Sequence, residues 1–211
     1  MADNNVLLDI KGSVAYVTLN RPAVHNAFDE KTIADQTVVF DDIAGLQDVR
    51  AVLLQGSGKS FSAGADINWM KRAADYDRVQ NIGDARALAR MLQTLYALPK
   101  VTIACVQGAA LGGGLGLVAC CDIVIADKNA KFGLSEVKLG LTPATISPYV
   151  LRAMGERQSR RYFQTGERFT GAKAKDIGLV HEVCDTPDEL ETILQGLLDN
   201  IKHNGPHAMR E

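Results

Sequence analysis

Two glycine-containing turns are the parts of this sequence whose residue types could hold an anionic group. The first is Ser60-Phe-Ser-Ala-Gly-Ala-Asp66, and the second runs from Gly108 to Gly116. Each follows an apolar run typical of a buried strand, so each places backbone N–H groups at a strand exit or a helix start. Unpaired N–H groups attract negative charge, and glycine lets a ligand approach the backbone closely. Tight packing of a helix on a sheet is the alternative reading of the second turn.

Glu136 is the acidic residue whose surroundings suggest chemistry. It ends the segment Lys131-Phe-Gly-Leu-Ser-Glu136, after a predicted strand and among apolar residues. A carboxyl group in apolar surroundings has a raised pKa and can act as a general acid or base, whereas the alternative is an ordinary surface carboxylate. Neither glycine turn matches the GxGxxG fingerprint or the GxxxxGK[ST] phosphate loop, so these two nucleotide-binding motifs are absent.

The pattern of apolar residues predicts the elements that position these groups. Residues 6–10 and 14–19 predict an antiparallel hairpin, and residues 51–54, 101–106, 123–126 and 180–183 predict further strands. Helices are predicted over residues 29–46, from 65 to at least 70, and over 79–97, 115–120, 148–166, 172–177 and 187–202. This alternation, opened by two consecutive strands, predicts an α/β fold with mixed sheets in one domain.

Composition excludes several classes of protein. The chain has 211 residues, of which 46% are hydrophobic and 23% charged, so it is neither a disordered chain nor a small disulfide scaffold. Its net charge of −2 provides no global field for nucleic acid or an anionic membrane. The uncharged stretch 101–121 is long enough to span a bilayer. Its glycines, each costing a helix about 1 kcal/mol, favour a strand, a turn and a buried helix instead.

The four cysteines carry no metal-binding spacing. Cys105, Cys120, Cys121 and Cys184 include no CxxC pair, and two of them lie within apolar sequence, so we expect buried free thiols and no metal. The first residues have neither a basic region nor an apolar signal core. Together these features predict a reducing, cytoplasmic setting.

Four motifs occur in a distinctive order along the chain. They are Asn20-Arg-Pro22 with His25-Asn-Ala27, then Phe61-Ser-Ala-Gly-Ala-Asp66, then Gly108–Gly116 closing at Cys121-Asp122, and finally Phe132-Gly-Leu-Ser-Glu136 with Gly140 and Pro143. In this order and spacing the chain resembles the enoyl-CoA hydratase/isomerase, or crotonase, family over nearly its whole length. The resemblance implies a crotonase-like α/β spiral of repeated β-β-α units with a helical C-terminal part. Residues 1–190 would form the core, and residues 191–211 would begin a helical region that continues further in relatives.

The resemblance also implies a substrate and a site. The substrate is an acyl-CoA thioester whose oxygen is held by the backbone N–H groups of Ala65 and Gly113, with Glu136 as acid or base. Contacts with the substrate and its CoA part are implied at seven further positions: Val24, His25, Ala27, Ala63, Asp66, Ile67 and Gly112. CoA belongs to the substrate, so no separate cofactor and no metal are expected. The expected assembly is a homotrimer or a dimer of trimers, with neither nucleic acid nor membrane as a partner.

The chain departs from the family pattern at one position. Family hydratases commonly use two glutamates, and the first of them falls on Gly116, which cannot carry a proton. Three interpretations remain: a hydratase with Glu136 as its main acid/base, a double-bond isomerase that needs only one base, and a homologue that binds acyl-CoA without chemistry.

A finer resemblance concerns the segment that follows Glu136. Residues 135–149 and 156–162, with Ile146-Ser147 where most family members carry Gly-Gly, are similar to the bacterial methylglutaconyl-CoA hydratase branch. This implies hydration of a branched, carboxylated enoyl-CoA, as in leucine breakdown. The extra carboxylate of that substrate would need a cation, for which Lys71, Arg72 and Lys138 are near in sequence. Solvated surface charges are the alternative for all three.

Overall fold

Two β-sheets organise the computed structural model, which describes residues 4–205 and 208–209. The large sheet contains β1 (Val6–Lys11), β2 (Val14–Leu19), β3 (Ala51–Gly56), β4 (Val101–Val106), β6 (Ile123–Asp127) and β9 (Glu182–Cys184). The small sheet contains β5 (Ala109–Leu111), β7 (Lys131–Gly133) and β8 (Phe169–Thr170). The helices are α1 (Glu30–Gly45), α2 (Ile67–Ala73), α3 (Arg78–Tyr96), α4 (Gly113–Cys120), α5 (Ser147–Thr165), α6 (Gly171–Asp176) and α7 (Pro187–His203).

The strands of the large sheet lie side by side in chain order, β1-β2-β3-β4-β6-β9. β1 and β2 form the predicted antiparallel hairpin, while every later pair is parallel because each next strand is reached through a helical connection. β4 and β6 are each followed at once by a short strand of the small sheet and then by a helix or helical turn. The turns that begin with β4 and β6 thus each contribute one strand to each sheet, as in the predicted spiral of β-β-α units.

Side-chain caps fix where the predicted helices begin. Asp29, Asp66 and Asp77 each accept a hydrogen bond from a backbone N–H in the first turn of α1, α2 and α3. Thr186 does the same for α7, and Pro187 occupies its first position as predicted. α7 runs through the expected boundary at 190/191, and residues 206, 207, 210 and 211 of the expected C-terminal region lie outside the described residues.

The hydrophobic core has two parts, one on each face of the large sheet. The inner part lies between the large sheet, the small sheet and helices α1, α3, α4 and α5. The outer part lies under α7, where Leu194 and Ile201 cover Cys105 and Cys184. All four cysteines are free, and Cys105 and Cys120 are buried as predicted. Cys184 is buried as well. Among the residues described, no helix combines the length and apolar character needed to cross a membrane.

Several predicted boundaries were wrong for local physical reasons. The helix expected from residue 65 begins at Ile67, because Ala65 is extended beside Phe28. The helix expected from residue 115 begins at Gly113. The last strand begins at Glu182, not at 180, because the Val180 N–H is still bonded to the carbonyl of Ala174 at the end of α6. The small sheet was not predicted at all, since its strands have only two or three residues.

Candidate active site

A cavity of about 320 Å³ brings together the three features singled out by the sequence. Ala63 and Ala65 of the first glycine turn, Gly112 and Gly113 of the second, and Glu136 all line it. The two turns touch backbone to backbone, since a Cβ placed on Gly64 would lie 2.6 Å from the carbonyl oxygen of Leu111. The cavity therefore lies where three successive parts of the chain meet.

The N–H of Ala65 is directed away from its neighbouring strand segment. Phe28 donates its N–H to the carbonyl of Gly64 (2.9 Å) and accepts the N–H of Asp66 (3.0 Å). In this parallel bridge the C=O of Gly64 and the N–H of Asp66 face Phe28. The backbone N–H and C=O of Ala65 therefore face the opposite side. Ala65 itself lines the cavity, which leaves its N–H available to a bound acceptor.

The N–H of Gly113 is available for a different reason. Gly113 is the first residue of α4, and the first intrahelical bond there is donated by Gly116 to the carbonyl of Gly112. The N–H groups before it have no partner within the helix, and the helix dipole favours negative charge at this end. Gly112 adopts a φ of 50°, and a Cβ at Gly113 would lie 2.2 Å from Cζ of Phe28, so both positions require glycine.

Glu136 lies directly over this end of α4. A Cβ on Gly112 would be 2.9 Å from Oε1 of Glu136, and the Gly112 N–H donates to the carbonyl of Gly133 (2.9 Å), which fixes the strand leading to Glu136. Oε2 is buried and has no hydrogen-bond partner among the described residues. Burial raises the pKa of this carboxyl group. Glu136 is thus a half-buried carboxyl group with one unpaired oxygen that lines the cavity, not a surface carboxylate.

The rest of the cavity wall is mainly apolar. It includes Phe28, Trp69, Met70, Leu88, Leu139 and Ile146, with hydroxyl groups from Ser135, Thr142 and Thr145. Glu136 is the one charged residue that lines the cavity within the described parts of the chain. The three cations considered from the sequence do not line it: Lys71 and Lys138 are exposed, and Arg72 pairs with Glu30 at 2.9 Å.

The loop expected to contact CoA packs beside the first glycine turn. His25 accepts the N–H of Ala63 (2.9 Å) with its carbonyl and places Nδ1 3.1 Å from Oγ of Ser60. Val24 is exposed and Ala27 is buried, and neither lines the cavity. Ile67 is 69% exposed at the start of α2. The structure thus brings Ala63 and Gly112 into the cavity and leaves the other CoA-contact positions beside or outside it.

Asp66 has a structural partner that the sequence did not reveal. Its carboxylate caps α2 and pairs with Arg21 at 3.1 Å. Arg21 also pairs with Asp29 at 3.2 Å and donates to the carbonyl of Ala27 at 2.6 Å. One guanidinium group therefore ties the starts of α1 and α2 to the loop beside the cavity, so the side chain of Asp66 is occupied within the protein.

Comparison with known proteins identifies the family. Residues 9–211 match the family model described as enoyl-CoA hydratase/isomerase. The chain is 37% identical, over 98% of its length and 78% of the relative's, to the short-chain-enoyl-CoA hydratase of Clostridium acetobutylicum. The chain belongs to the enoyl-CoA hydratase/isomerase family. This confirms the family resemblance seen in the four sequence motifs.

Solved structures of similar proteins share the described fold. An enoyl-CoA hydratase from Shewanella pealeana superposes with a TM-score of 0.95 at 45% identity, covering 99% of this chain and 78% of that one. AtuE from Pseudomonas aeruginosa gives a TM-score of 0.95 at 36% identity, covering 98% and 80%. The crotonase-like fold expected from the sequence is therefore confirmed.

Within this enoyl-CoA hydratase fold, two features escaped sequence reasoning. Phe28 lies under Gly113 and against the Ala65 strand, and its place directly after the His25-Asn-Ala27 motif is the only sequence signal for it. Ile146 lies against Gly116, although 30 positions separate them, and no local pattern reports such a contact.

Proposed function

We propose that this protein is an enoyl-CoA hydratase that adds water across the conjugated double bond of an acyl-CoA thioester, with Glu136 as its acid/base. The observation that carries the proposal is that Ala65, Gly113 and the Glu136 carboxyl group, whose Oε2 has no partner among the described residues, meet at one mainly apolar cavity. Family membership and the hydratases among its relatives support the same reaction.

One carboxylate is sufficient to balance the proposed reaction. Ionised Glu136 takes a proton from water while the water oxygen bonds to the alkene carbon remote from the thioester. The alkene electrons move to the thioester oxygen, whose negative charge the N–H groups of Ala65 and Gly113 stabilise. Glu136 then delivers its proton to the carbon next to the thioester, which regenerates the carboxylate. Loss of one such N–H donor typically costs about 3 kcal/mol of transition-state stabilisation.

The proposed substrate is a branched enoyl-CoA, with methylglutaconyl-CoA as the first to test. The similarity of residues 135–149 to the methylglutaconyl-CoA hydratase branch supports this choice. The apolar wall formed by Trp69, Met70 and Leu139 favours the hydrocarbon part of such an acyl group. A substrate carboxylate would find no cation among the described lining residues, so crotonyl-CoA, which lacks that carboxylate, is the matched comparison.

Contacts to the CoA part are proposed at positions around the cavity mouth. The loop with Val24, His25 and Ala27 packs beside Ala63, and Ile67 is exposed one residue after Asp66. The N–H groups of Val24, His25 and Ala27 are bonded within the loop, so the proposed contacts there use backbone carbonyls and the His25 ring, which lies beside Ser60.

A second candidate reaction is migration of the double bond between neighbouring carbon pairs. Gly116 favours it, because an isomerase needs only one base to move a proton from one carbon to another. In that case Glu136 would remove a proton from the carbon next to the thioester and return it further along the acyl chain, and the dienolate formed in between would be held by the same two N–H groups.

A substrate screen with a matched variant tests these proposals. We expect the wild-type protein to hydrate methylglutaconyl-CoA or crotonyl-CoA. The absorbance of the conjugated thioester should decrease, and water should be incorporated into the product. Conversion of a 3-enoyl-CoA without water uptake would assign the isomerase reaction. Binding without turnover of any of these thioesters would reject both enzymatic proposals in favour of a non-catalytic acyl-CoA-binding homologue.

A further inference from the structure

Gly116 and Ile146 occupy each other's space in the structure. A Cβ placed on Gly116 would lie 2.3 Å from Cγ2 and 2.9 Å from Cβ of Ile146. Both separations are below any real contact between carbon atoms, so a side chain at position 116 and the isoleucine exclude one another. Ile146 is 2% exposed and lines the acyl cavity, so the space at Gly116 is already filled with hydrocarbon.

The position of this pair in the fold gives it chemical importance. Gly116 lies one turn along α4 from Gly112 and Gly113, which form the anion-binding end of that helix. Ile146 directly precedes α5, and α4 and α5 pack against each other. An acidic side chain at position 116 could enter the cavity only through the volume that Ile146 occupies.

We propose that Ile146 determines the reaction specificity of the site, that is, the balance between hydration and double-bond migration. This inference rests on the proposed function. The hydrocarbon side chain of Ile146 fills the space that an acidic side chain at position 116 would need. The wall there is dry, and Glu136 alone transfers protons in the cavity. Glycine at position 116 and isoleucine at position 146 are therefore coupled, because a side chain at position 116 would need the space that Ile146 fills.

The steric half of the proposal is tested by protein stability, which does not depend on turnover. Gly116→Ala is made in three backgrounds: wild type, Ile146→Ala and Ile146→Gly. We expect the decrease in Tm caused by Gly116→Ala to be largest in wild type, because overpacking a core is destabilising. The decrease in Tm should be intermediate in the Ile146→Ala background, where the 2.9 Å contact to Cβ of residue 146 remains. It should be smallest in the Ile146→Gly background.

A matched glycine provides the control for the stability series. Gly196 lies within α7, and a Cβ placed there meets no atom within 4 Å. Gly196→Ala should therefore change Tm by the same amount in all three backgrounds. An effect of Gly116→Ala that is equally independent of residue 146 would overturn the proposed coupling.

The chemical half is tested by restoring the second acid. In the Ile146→Gly background we expect Gly116→Glu to hydrate crotonyl-CoA at least ~10-fold faster than Gly116→Gln, because positioned proton transfer typically contributes 10²–10⁴-fold. It should also raise the ratio of hydration to double-bond migration. In the wild-type background Gly116→Glu should lower Tm and give no such gain. Equal rates for the glutamate and glutamine variants would show that residue 146 does not control access of a second acid.

The two sets of measurements separate failure of this inference from failure of the proposed function. If wild type and all variants leave every enoyl-CoA unchanged, the proposed function is rejected, and with it the role of Ile146 in specificity. The Tm series then still decides whether residues 116 and 146 are coupled in packing.

Discussion

At the scale of single residues, Glu136 combines an unpaired oxygen with partial burial. Oε2 is buried without a hydrogen-bond partner in the described part of the protein, and burial raises the pKa of the carboxyl group. An ionised carboxylate in this environment is a stronger base than one in water, because its charged form is poorly solvated. The same lack of solvation that favours proton transfer must reduce the stability of the folded protein at neutral pH.

Replacement of Glu136 by glutamine should abolish proton transfer while keeping the shape of the cavity. We expect kcat/KM for enoyl-CoA hydration to fall by about 10²–10⁴-fold or more, with substrate binding retained. In wild type, kcat/KM should decrease as the pH falls through the raised pKa of Glu136, since the base must be ionised. Glu156→Gln, at an exposed position of α5, should keep both the rate and the pH profile. A Glu136→Gln variant with full turnover would exclude Glu136 as the acid/base.

The same substitution should have the opposite effect on stability. A carboxyl group whose pKa is raised on folding stabilises the folded state below its unfolded pKa, and this contribution is lost as the pH rises through the folded pKa. The Tm of Glu136→Gln should therefore exceed that of wild type at neutral pH, and the difference should shrink at about pH 4. Thermal unfolding at both pH values checks this, with Glu156→Gln as the control. A difference that grows on acidification would contradict the assigned direction of the pKa shift.

At the scale of elements, α2 and α3 form one wall of the acyl cavity and are joined through Trp69. Its indole Nε1 donates to the Asp84 carboxylate at 3.0 Å, while the ring lines the cavity and is 8% exposed. Trp69 and Met70 line the cavity, and Trp69 also belongs to the core.

Asp84 should hold Trp69 in place and thereby shape the acyl wall. Asp84→Ala removes the acceptor, whereas Asp84→Asn keeps a side-chain oxygen for the indole N–H. We expect Asp84→Ala to raise KM for acyl-CoA several-fold with a smaller change in kcat, and Asp84→Asn to stay near wild type. Trp69 is the only tryptophan of the chain, so its fluorescence spectrum reports the same change directly. Unchanged KM and fluorescence in Asp84→Ala would remove Asp84 from this positioning role.

The sequence predicted most elements because their signals are local. The apolar run 101–106 and the glycines that follow it predicted β4 and the turn after it, and Asp29-Glu predicted the start of α1. The small sheet could not be predicted, since a strand such as Phe169–Thr170 is too short to show alternation. Likewise the Gly116–Ile146 contact arises only when α5 packs on α4, so no local signal in the sequence could predict that these two positions touch.

At the scale of the whole molecule, the large sheet is covered differently on its two faces. The inner face supports the site through many helices and the small sheet, while the outer cluster lies under α7. Cys105 and Cys184 are 5% and 4% exposed beneath that helix, next to Leu194. Burial raises the pKa of the Cys105 thiol to about 12, so its reactive thiolate is scarce while α7 is docked.

Loosening α7 should therefore expose two thiols and leave the third buried thiol protected. Leu194→Ala removes buried contacts that typically contribute about 2–5 kcal/mol, so we expect faster alkylation of Cys105 and Cys184 at neutral pH. Cys120 belongs to the inner cluster and should keep its wild-type rate. Gln195→Ala, at an exposed neighbouring position, serves as control, and mass spectrometry assigns the modified residues. Equal acceleration at Cys120 would indicate global unfolding and not local release of α7.

The winding of the chain also has a consequence for the order in which the protein is made. Because neighbouring strands of the large sheet follow one another in sequence, each newly synthesised turn can dock on the edge left by the previous one. The turns that carry Ala65 and Gly113 precede the turn that carries Glu136. During synthesis, the backbone N–H groups of Ala65 and Gly113 therefore leave the ribosome before the carboxylate of Glu136. Until each next strand arrives, the exposed parallel edge is a site for pairing with another chain, which makes folding during synthesis the step most vulnerable to aggregation.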